Sequence, residues 1–325
     1  TLCWDLDDDA DTGSMFYLDG IGTGSGSVDD TCTAACTADG EACTADSECI
    51  SGACDTTCQP STVGNACTSD ADCNEKCINS VCTQVWQPAD RAALKSVIDA
   101  CVPDINADGS ECYACADGTH KTSSTASCDD DSTPQFISDW DTSLVTEMNS
   151  LFQLKKAFNQ DISRWNTAKV TNMHLMFNQA EAFDKSIGDW NTASVTTMNK
   201  MFSYTNDFNQ NINDWDVSAV SDFTSMFAYS NFNQPLDKWD IGAASLVTMF
   251  QENSEFNQDI SSWDTSSVTD MYGVFVKASS FNQDLSCWDI SSTSRTTQMF
   301  KDSALDKTLC WDIRDRKSTR LNSSH

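Results

Sequence analysis

The sequence predicts a β-rich solenoid of stacked parallel strands with helical turns, joined to a disulfide-rich region of small domains. Tryptophan recurs at a nearly constant spacing in the second half of the 325-residue chain, and a fixed period of 20–50 residues is typical of solenoids. Most of the 17 cysteines crowd into the first half, as in small extracellular domains that bury too little apolar surface to fold without disulfides.

Eight tryptophans mark the repeat, at intervals of 25, 25, 25, 24, 24, 25 and 23 residues: Trp140, Trp165, Trp190, Trp215, Trp239, Trp263, Trp288 and Trp311. Each copy has too few apolar residues for a core of its own, so consecutive coils must stack and bury these indoles between them. We interpret them as core residues, not as a carbohydrate or cofactor site.

Three segments of each copy have an expected conformation. Tryptophan, Asp or Asn, and a Thr, Val or Ile predict a short parallel strand with the first and third residues inward. The pattern Val-x-x-Met-x-x-Met-Phe predicts a turn or a single helical turn on the opposite side. Asparagines after a phenylalanine predict a hydrogen-bonded ladder between coils: Asn159, Asn209, Asn233, Asn257 and Asn282.

These motifs carry a resemblance. The unit F-N-Q-D-I-S-x-W-D-T-S-x-V-T-x-M-x-x-M-F, best seen from Phe256 to Val268, resembles the BspA-like leucine-rich repeat surface proteins, in the variant with Trp in the strand. The resemblance covers residues 135–313. It implies a curved solenoid of the leucine-rich-repeat type, without enzymatic activity, that serves adhesion or assembly on a cell surface.

A row of acidic and amide side chains follows the tryptophans: Asp141, Asn166, Asn191, Asp216, Asp240, Asp264 and Asp289. Stacked like charges repel, and asparagine in two copies relieves that repulsion. We expect a solvated polar face; a cation-bridged or partner-binding face is the alternative.

Residues 32–134 form the predicted cysteine-rich region, which resembles small EGF-like or Dickkopf-like modules. Two short motifs repeat there, Gly-x-Ala-Cys43 and Gly-x-Ala-Cys67. Spacing alone does not give the connectivity. A competing interpretation of Cys112-x-x-Cys115 is zinc binding, although no second pair stands at zinc-finger spacing. The candidates for disulfide bonds are Cys32, Cys36, Cys43, Cys49, Cys54, Cys58, Cys67, Cys73, Cys77, Cys82, Cys101, Cys112, Cys115, Cys128, Cys287 and Cys310.

A helix is predicted over residues 88–101, with Pro88 in its first turn. The segment after it has oxygen ligands at alternate positions, Asp104, Asn106 and Asp108, followed by Gly109, as in the first half of an EF-hand calcium loop. The bidentate Glu of the twelfth position is missing. A calcium site, with calcium as the one possible cofactor, is therefore one interpretation, and a polar Asx-turn that binds nothing is the other.

The first five residues, Thr-Leu-Cys-Trp-Asp, recur at 308–312. We therefore interpret residues 1–19 as a detached coil, a cap or a fragment of an adjoining unit, and residues 20–31 as a linker. Either the gene encodes tandem units, or this segment completes a neighbouring subunit; a duplication within one monomer is the remaining alternative. Cys287 and Cys310 would then lie on adjacent coils, leaving Cys3 for an intermolecular bond. Residues 315–325 read as a translated sequencing adapter.

The charge limits the function. A formal net charge of −30 excludes a basic nucleic-acid-binding surface, and no apolar run approaches the roughly 20 residues of a membrane span. Catalytic signatures such as Gly-x-Ser-x-Gly are missing, so we expect no enzyme. The chain is expected to be extracellular, a structural subunit of a cell-surface filament, sheath or flagellar hair whose partners are copies of itself. An adhesion or ligand-binding module that uses the concave face for other cell-surface proteins is the alternative.

Overall fold

The computed structural model describes residues 2–4, 76–78, 81–83, 86–103, 107–110, 112–115, 117–122, 125–126, 128, 134–307 and 309–311. The predicted linker, most of the detached coil and the cysteine modules before residue 76 lie outside these ranges, as does the tail. The side chains of residues 2–4, 76–78, 81–83 and 310 lie outside the description as well.

One α-helix and seven short strands are assigned in the described residues. The strands are β1 (Leu2–Trp4), β2 (Lys76–Ile78), β3 (Val81–Thr83), β4 (Tyr113–Ala114), β5 (His120–Lys121), β6 (Gln135–Phe136) and β7 (Leu309–Trp311). All pairings are antiparallel: β1 with β7, β2 with β3, and β4 with both β5 and β6. A 3-10 turn, Ile137–Asp139, leads from β6 into the repeats.

The helix α1 spans Arg91–Cys101, so the predicted start at Pro88 is three residues early. Asp90 is the reason: its backbone is extended and its carboxylate accepts the N–H of Ala93 at 2.9 Å, which caps the helix. The predicted apolar stripe is buried, and it consists of Leu94, Val97, Ile98 and Cys101. This stripe turns α1 toward the remainder of the core.

Consecutive copies of the repeat lie side by side in parallel register. Single parallel bridges join equivalent residues 23–25 positions apart: Glu147 to Asn172, Asn172 to Thr197, Thr197 to Asp222, Asp222 to Ser245, and Asp270 to Arg295. Alternate backbone N–H groups continue this pairing, as Met148 donates to Asn172 at 2.8 Å and Phe152 donates to Met176 at 2.9 Å. We call residues 134–311 the array, and each copy a coil.

The predicted parallel strand at tryptophan is wrong: no strand occurs at the tryptophans from Trp140 to Trp288, and Trp311 lies in β7, which is antiparallel. The segment Trp165–Thr167 has no strand; it lies between two tight turns, in which Trp165 N–H donates to Ile162 at 3.1 Å and Val170 N–H to Thr167 at 2.9 Å. The parallel bridges lie instead in the Val-x-x-Met segment, which forms consecutive turns and no helix. The buried threonine two residues after tryptophan donates its hydroxyl across to the next coil, as Thr167 does to the Asn191 carbonyl at 2.9 Å.

All eight repeat tryptophans are buried, at 0–4% exposure. A buried indole N–H needs an acceptor, and the acceptor is the same in each coil. Trp190 donates to the carbonyl of Ile162 at 3.2 Å, and Trp215 donates to Ile187 at 3.0 Å. In each case the acceptor lies three residues before the preceding tryptophan of the array. Trp140 is the first tryptophan of the array, and it donates to the carbonyl of Gln135 instead. Each indole thus joins two coils.

Phenylalanine forms two columns beside the indoles. In the first column the ring centroids of successive coils are 5.4–5.8 Å apart, at Phe152, Phe177, Phe202, Phe227, Phe250, Phe275 and Phe300. In the second column they are 6.0–6.5 Å apart, at Phe158, Phe183, Phe208, Phe232, Phe256 and Phe281. Within a coil the two rings stack at 3.9–4.2 Å. Burial of such rings is the main source of stability here.

Residues 86–128, which we call the cap, cover the start of the array. The Trp86 ring meets Trp140 edge-on, with centroids 4.8 Å apart. Lys155, almost fully buried, reaches out of the first coil to the Val102 carbonyl and to Asp99. Gly109 has φ +82°, and a Cβ there would lie 2.9 Å from the Phe158 ring. The first coil is therefore shielded from water by a different kind of structure.

Two disulfides lie in the cap. Cys101 at the end of α1 is bonded to Cys112, and Cys115 is bonded to Cys128. Both bonds close short loops, of 11 and 13 residues in sequence separation. They add covalent links around α1 and the small β4–β5–β6 sheet to the buried apolar contacts of this region.

Candidate functional site

A ladder of polar side chains runs along one edge of the array, at the residue after the second phenylalanine. In each step the side-chain oxygen of one coil accepts the backbone N–H of the equivalent residue in the next coil. The steps are Asn159 to Asp184, Asp184 to Asn209, Asn209 to Asn233, Asn233 to Asn257, Asn257 to Asn282, and Asn282 to Asp306, at 2.9–3.3 Å. A ladder does form, but it joins side chain to backbone and not amide to amide.

Glutamine supplies a second donor to the same oxygen. Gln258 Nε2 donates to Asn233 Oδ1 at 2.9 Å, and Gln283 Nε2 donates to Asn257 Oδ1 at 2.8 Å. The carbonyl end of each asparagine is therefore used inside the array. Its role in the ladder is that of an acceptor, which aspartate can also fill, as Asp184 does.

A polar cleft of about 640 Å³ opens beside this ladder. Its walls come from consecutive coils and carry amide and carboxylate groups, chiefly Asn206, Asp207, Asn231, Asn233 and Glu255. The side chains of Asp207 and Glu255 are exposed. The Asn231 side chain is hydrogen-bonded to the preceding coil, because its Nδ2 donates to the Asn206 carbonyl at 3.0 Å. The cleft offers hydrogen-bond donors and acceptors to a polar ligand and very little apolar surface.

The Asp and Asn row after tryptophan has a local role. Each side chain accepts the N–H two residues on, which is an Asx-turn: Asp141 from Ser143, Asn166 from Ala168, Asn191 from Ala193, Asp216 from Ser218, Asp240 from Gly242, Asp264 from Ser266, and Asp289 from Ser291. Hydrogen bonds from Ser266 lower the pKa of Asp264. These residues shape the turn after each indole.

We call the face with the parallel bridges, along Glu147, Asn172, Thr197, Asp222 and Ser245, the bridged face. It carries the most exposed aromatic group of the described array. Tyr204, 43% exposed, stacks on Tyr229 with centroids 4.4 Å apart and an interplanar angle of 3°. Gln251 Nε2 donates to the Tyr229 hydroxyl at 3.0 Å. Burial, with the nearby Glu252 charge, raises the pKa of Tyr229. The two rings therefore stack between neighbouring coils at the surface, as the phenylalanine rings do in the core.

Asp222 lies in the middle of the bridged face. Burial disfavours its charged form, but hydrogen bonds from Thr224 and Asn199 and the charge of His174 outweigh this and lower its pKa. The Asn199 Nδ2 donates to Asp222 Oδ2 at 2.9 Å, and the Thr224 N–H donates to Oδ1 at 2.9 Å. This carboxylate is held in its ionised form by two coils.

The predicted calcium loop is described in part. Asp104 and Asn106 lie outside the described residues. Asp108 accepts the Ser110 N–H at 2.9 Å, and hydrogen bonds from Ser110 lower its pKa. That contact is an Asx-turn, and Gly109 is explained by its close approach to the Phe158 ring. No group of three or more potential metal ligands occurs among the residues that the structure describes.

The zinc interpretation of Cys112 and Cys115 is wrong, because each sulfur is bonded to a different cysteine, Cys101 and Cys128. Cys77 and Cys82 face each other in backbone register between β2 and β3. The remaining candidates of the cysteine-rich region lie outside the described residues: Cys32, Cys36, Cys43, Cys49, Cys54, Cys58, Cys67 and Cys73.

The cysteines of the array end lie differently from the prediction. Cys310 is opposite Cys3 of the same chain in the β1–β7 register, and Cys287 is half-buried one coil earlier. The backbone thus pairs Cys310 with the residue that was expected to bond to another molecule. The reason is that β1 adds to β7 as an antiparallel strand, and not as a further parallel coil.

Comparison with known proteins identifies a family. A family model described as "Mycoplasma protein of unknown function, DUF285" matches residues 122–239 and 228–320. The two matches together span more than half of the chain. The chain belongs to this family. No curated protein matches it, and no solved structure matches it. The DUF285 match covers the whole described array and the end of the cap.

Two sets of array residues were not predicted. The glutamines of the ladder could have been found from the recurring Phe-Asn-Gln tripeptide. The left-handed residues carry no such signal: a pair four positions apart recurs in every coil, such as Lys200 (φ 55°) and Tyr204 (φ 59°).

No helix in the described part of the chain is both long and apolar enough to cross a membrane.

Proposed function

We propose that this DUF285 protein is an extracellular structural protein, a unit of a cell-surface filament, sheath or flagellar hair. Its array would be a solenoid of the leucine-rich-repeat type, similar to BspA-like surface proteins, and its function would be mechanical. The disulfides of the cap support an oxidising, extracellular location.

The observation that carries this proposal is the continuity of bonding through the array. Indole hydrogen bonds, phenylalanine columns and the asparagine ladder each join every coil to the next. A load on the array is therefore shared among several contacts at every interface. The interior holds packed rings, and the cleft at its edge is open and polar, so the arrangement favours rigidity over chemistry.

Negative-stain electron microscopy of the purified full chain tests the proposal. At micromolar concentration, with and without Ca²⁺, we expect rods that join end to end into filaments of regular repeat. A Trp215→Ala variant, which opens the middle of the array, should give collapsed or irregular particles. Isolated, unjoined particles of the wild-type chain under all conditions would contradict assembly.

A second function, binding of a polar partner such as a glycan, is favoured by the cleft beside the asparagine ladder. Exposed carboxylates and amides there suit hydroxyl-rich ligands, which accept and donate hydrogen bonds over a broad surface. Binding to an immobilised panel of oligosaccharides tests it. Asp207→Ala should weaken the binding, whereas Asp189→Ala, an exposed aspartate outside the cleft, should leave it unchanged. Equal binding by both variants would exclude the cleft.

A further inference from the structure

The two ends of the described chain meet at the last coil of the array. Strand β1 pairs with β7 in antiparallel register, with Leu2 opposite Trp311, Cys3 opposite Cys310, and Trp4 opposite Leu309. The paired segments have the same sequence, Leu-Cys-Trp, and cysteine is at the centre of both. The only directly opposed identical residues of this pair are therefore its two cysteines.

This register is compatible with a covalent bond. Directly opposite residues of an antiparallel pair have Cα atoms roughly 4.5–5.5 Å apart, and disulfides span Cα distances of about 4.4–6.8 Å. Cys287 is the competing partner, but it lies one coil away in a segment of turns without strand pairing. We propose that Cys3 and Cys310 form an intrachain disulfide that joins β1 to the final coil.

The bond would fix the end of the array that the cap does not reach. Strand β7 belongs to the last coil, because the Trp311 indole donates to the Leu285 carbonyl at 3.0 Å. Among the described residues no coil follows this one, and a terminal coil of a solenoid needs a cover. Strand β1 supplies the cover, and the disulfide prevents its exchange for the β1 or β7 of another copy, whose identical sequence fits the same register.

The chemistry requires an oxidant. Two thiols lose two electrons and two protons to a low-molecular-weight disulfide, which is reduced to two thiols by exchange through a mixed disulfide. Such disulfides are available in the oxidising compartments where cysteine-rich proteins fold. The inference needs that compartment, but it does not need the proposed filament.

Peptide mapping without reduction tests the bond in the full chain. Thiols are blocked with N-ethylmaleimide, the monomer is isolated on a denaturing gel, and a protease that cleaves before aspartate is applied. Cleavage then gives separate peptides for Cys3 (residues 1–4), Cys287 (284–288) and Cys310 (306–311). We expect the first and third peptides to be joined, and to separate after reduction.

Matched variants complete the experiment. Cys3→Ser should convert Cys310 from unlabelled to fully labelled by the maleimide, whereas Cys287→Ser should leave Cys310 unlabelled. Three results would overturn the inference: a bond from Cys310 to Cys287, a bond from Cys3 into the cysteine-rich region, or a Cys3–Cys310 or Cys310–Cys310 bond found only in covalent dimers. Labelling of both thiols in the wild-type monomer would overturn it as well.

Discussion

The array and the cap are stabilised in opposite ways. In the array one set of contacts recurs in every coil, so each side chain serves two interfaces and has a counterpart about 25 residues away. In the cap each contact occurs once: one helix, one Trp86–Trp140 contact and two disulfides. A repeated architecture therefore spreads its stability along the chain, whereas the described cap combines one buried helix face with two disulfides.

The largest effect is expected from an indole in the middle of the array. Trp215→Ala should lower the free energy of unfolding by about 3–5 kcal/mol, the usual cost of a large buried side chain. The variant also leaves the Ile187 carbonyl without the indole N–H that donates to it at 3.0 Å. Urea denaturation followed by circular dichroism measures the loss.

Trp215→Phe is the control, because it keeps an aromatic ring and removes the indole donor. The cost should be smaller, about 1–3 kcal/mol for an unsatisfied buried acceptor together with the lost volume. If the alanine and phenylalanine variants were equally stable, ring packing would not be the main source of stability in the array.

The cap should respond to the loss of a disulfide and leave the array intact. Replacing Cys115 and Cys128 together by serine should cost about 3 kcal/mol, the value for a loop of roughly 15 residues. Hydrogen exchange should accelerate at residues 112–121 and stay slow at Met148 and Phe152. Exchange that accelerates equally in both regions would show that they unfold as one unit.

A smaller effect is expected in the asparagine ladder. Asn233→Ala removes the acceptor of the Asn257 N–H at 3.1 Å and of Gln258 at 2.9 Å. Because this edge is half-exposed and water can replace the side chain, the cost should be about 1 kcal/mol. Asn233→Asp keeps the oxygen and should unfold at a urea concentration close to that of the wild-type chain. If Asn233→Asp lost more stability than Asn233→Ala, the side-chain oxygen of Asn233 would not act as the acceptor.

The smallest expected effect is on the dependence of stability on pH in acid. The pKa of Asp222 is lower in the folded chain, so the folded state binds fewer protons than the unfolded state. Its contribution is complete above the unfolded-state pKa of about 3.9 and is lost as the pH falls through the folded-state pKa. Asp222→Asn should therefore flatten the decline in stability below about pH 4, measured by urea midpoints. An unchanged decline, equal to that of Asp189→Asn, would exclude Asp222.

Much of the array follows from its sequence. The tryptophan period gives the stacking partners, the phenylalanines give the columns, and the buried residue after Trp-Asp/Asn is inward as its β-branched character indicates. Strand propensity predicts the wrong segment because Trp-Asp-Thr combines high strand propensity with an Asx-turn, and the turn determines the backbone. Propensity and side-chain hydrogen bonding compete at such positions.

Other features have no pattern from which to predict them. Left-handed backbone is normally indicated by glycine, yet the first such position holds Ser150, Leu175, Lys200, Ser225, Thr248, Gly273 and Gln298 in successive coils. The conformation therefore recurs at a fixed position of the coil whichever residue is present. Likewise, the antiparallel pairing of β1 depends on contacts about 307 residues apart in sequence, between Cys3 and Cys310.

The asparagine ladder has a direction, since each oxygen accepts from the coil that follows it and never from the one before. Every internal coil thus presents one kind of surface toward the amino-terminal side and its complement toward the other. Duplication or deletion of one whole unit of about 25 residues would leave every remaining junction with the same kind of hydrogen bond. Evolution could therefore set the length of this protein in steps, with the two end structures unchanged.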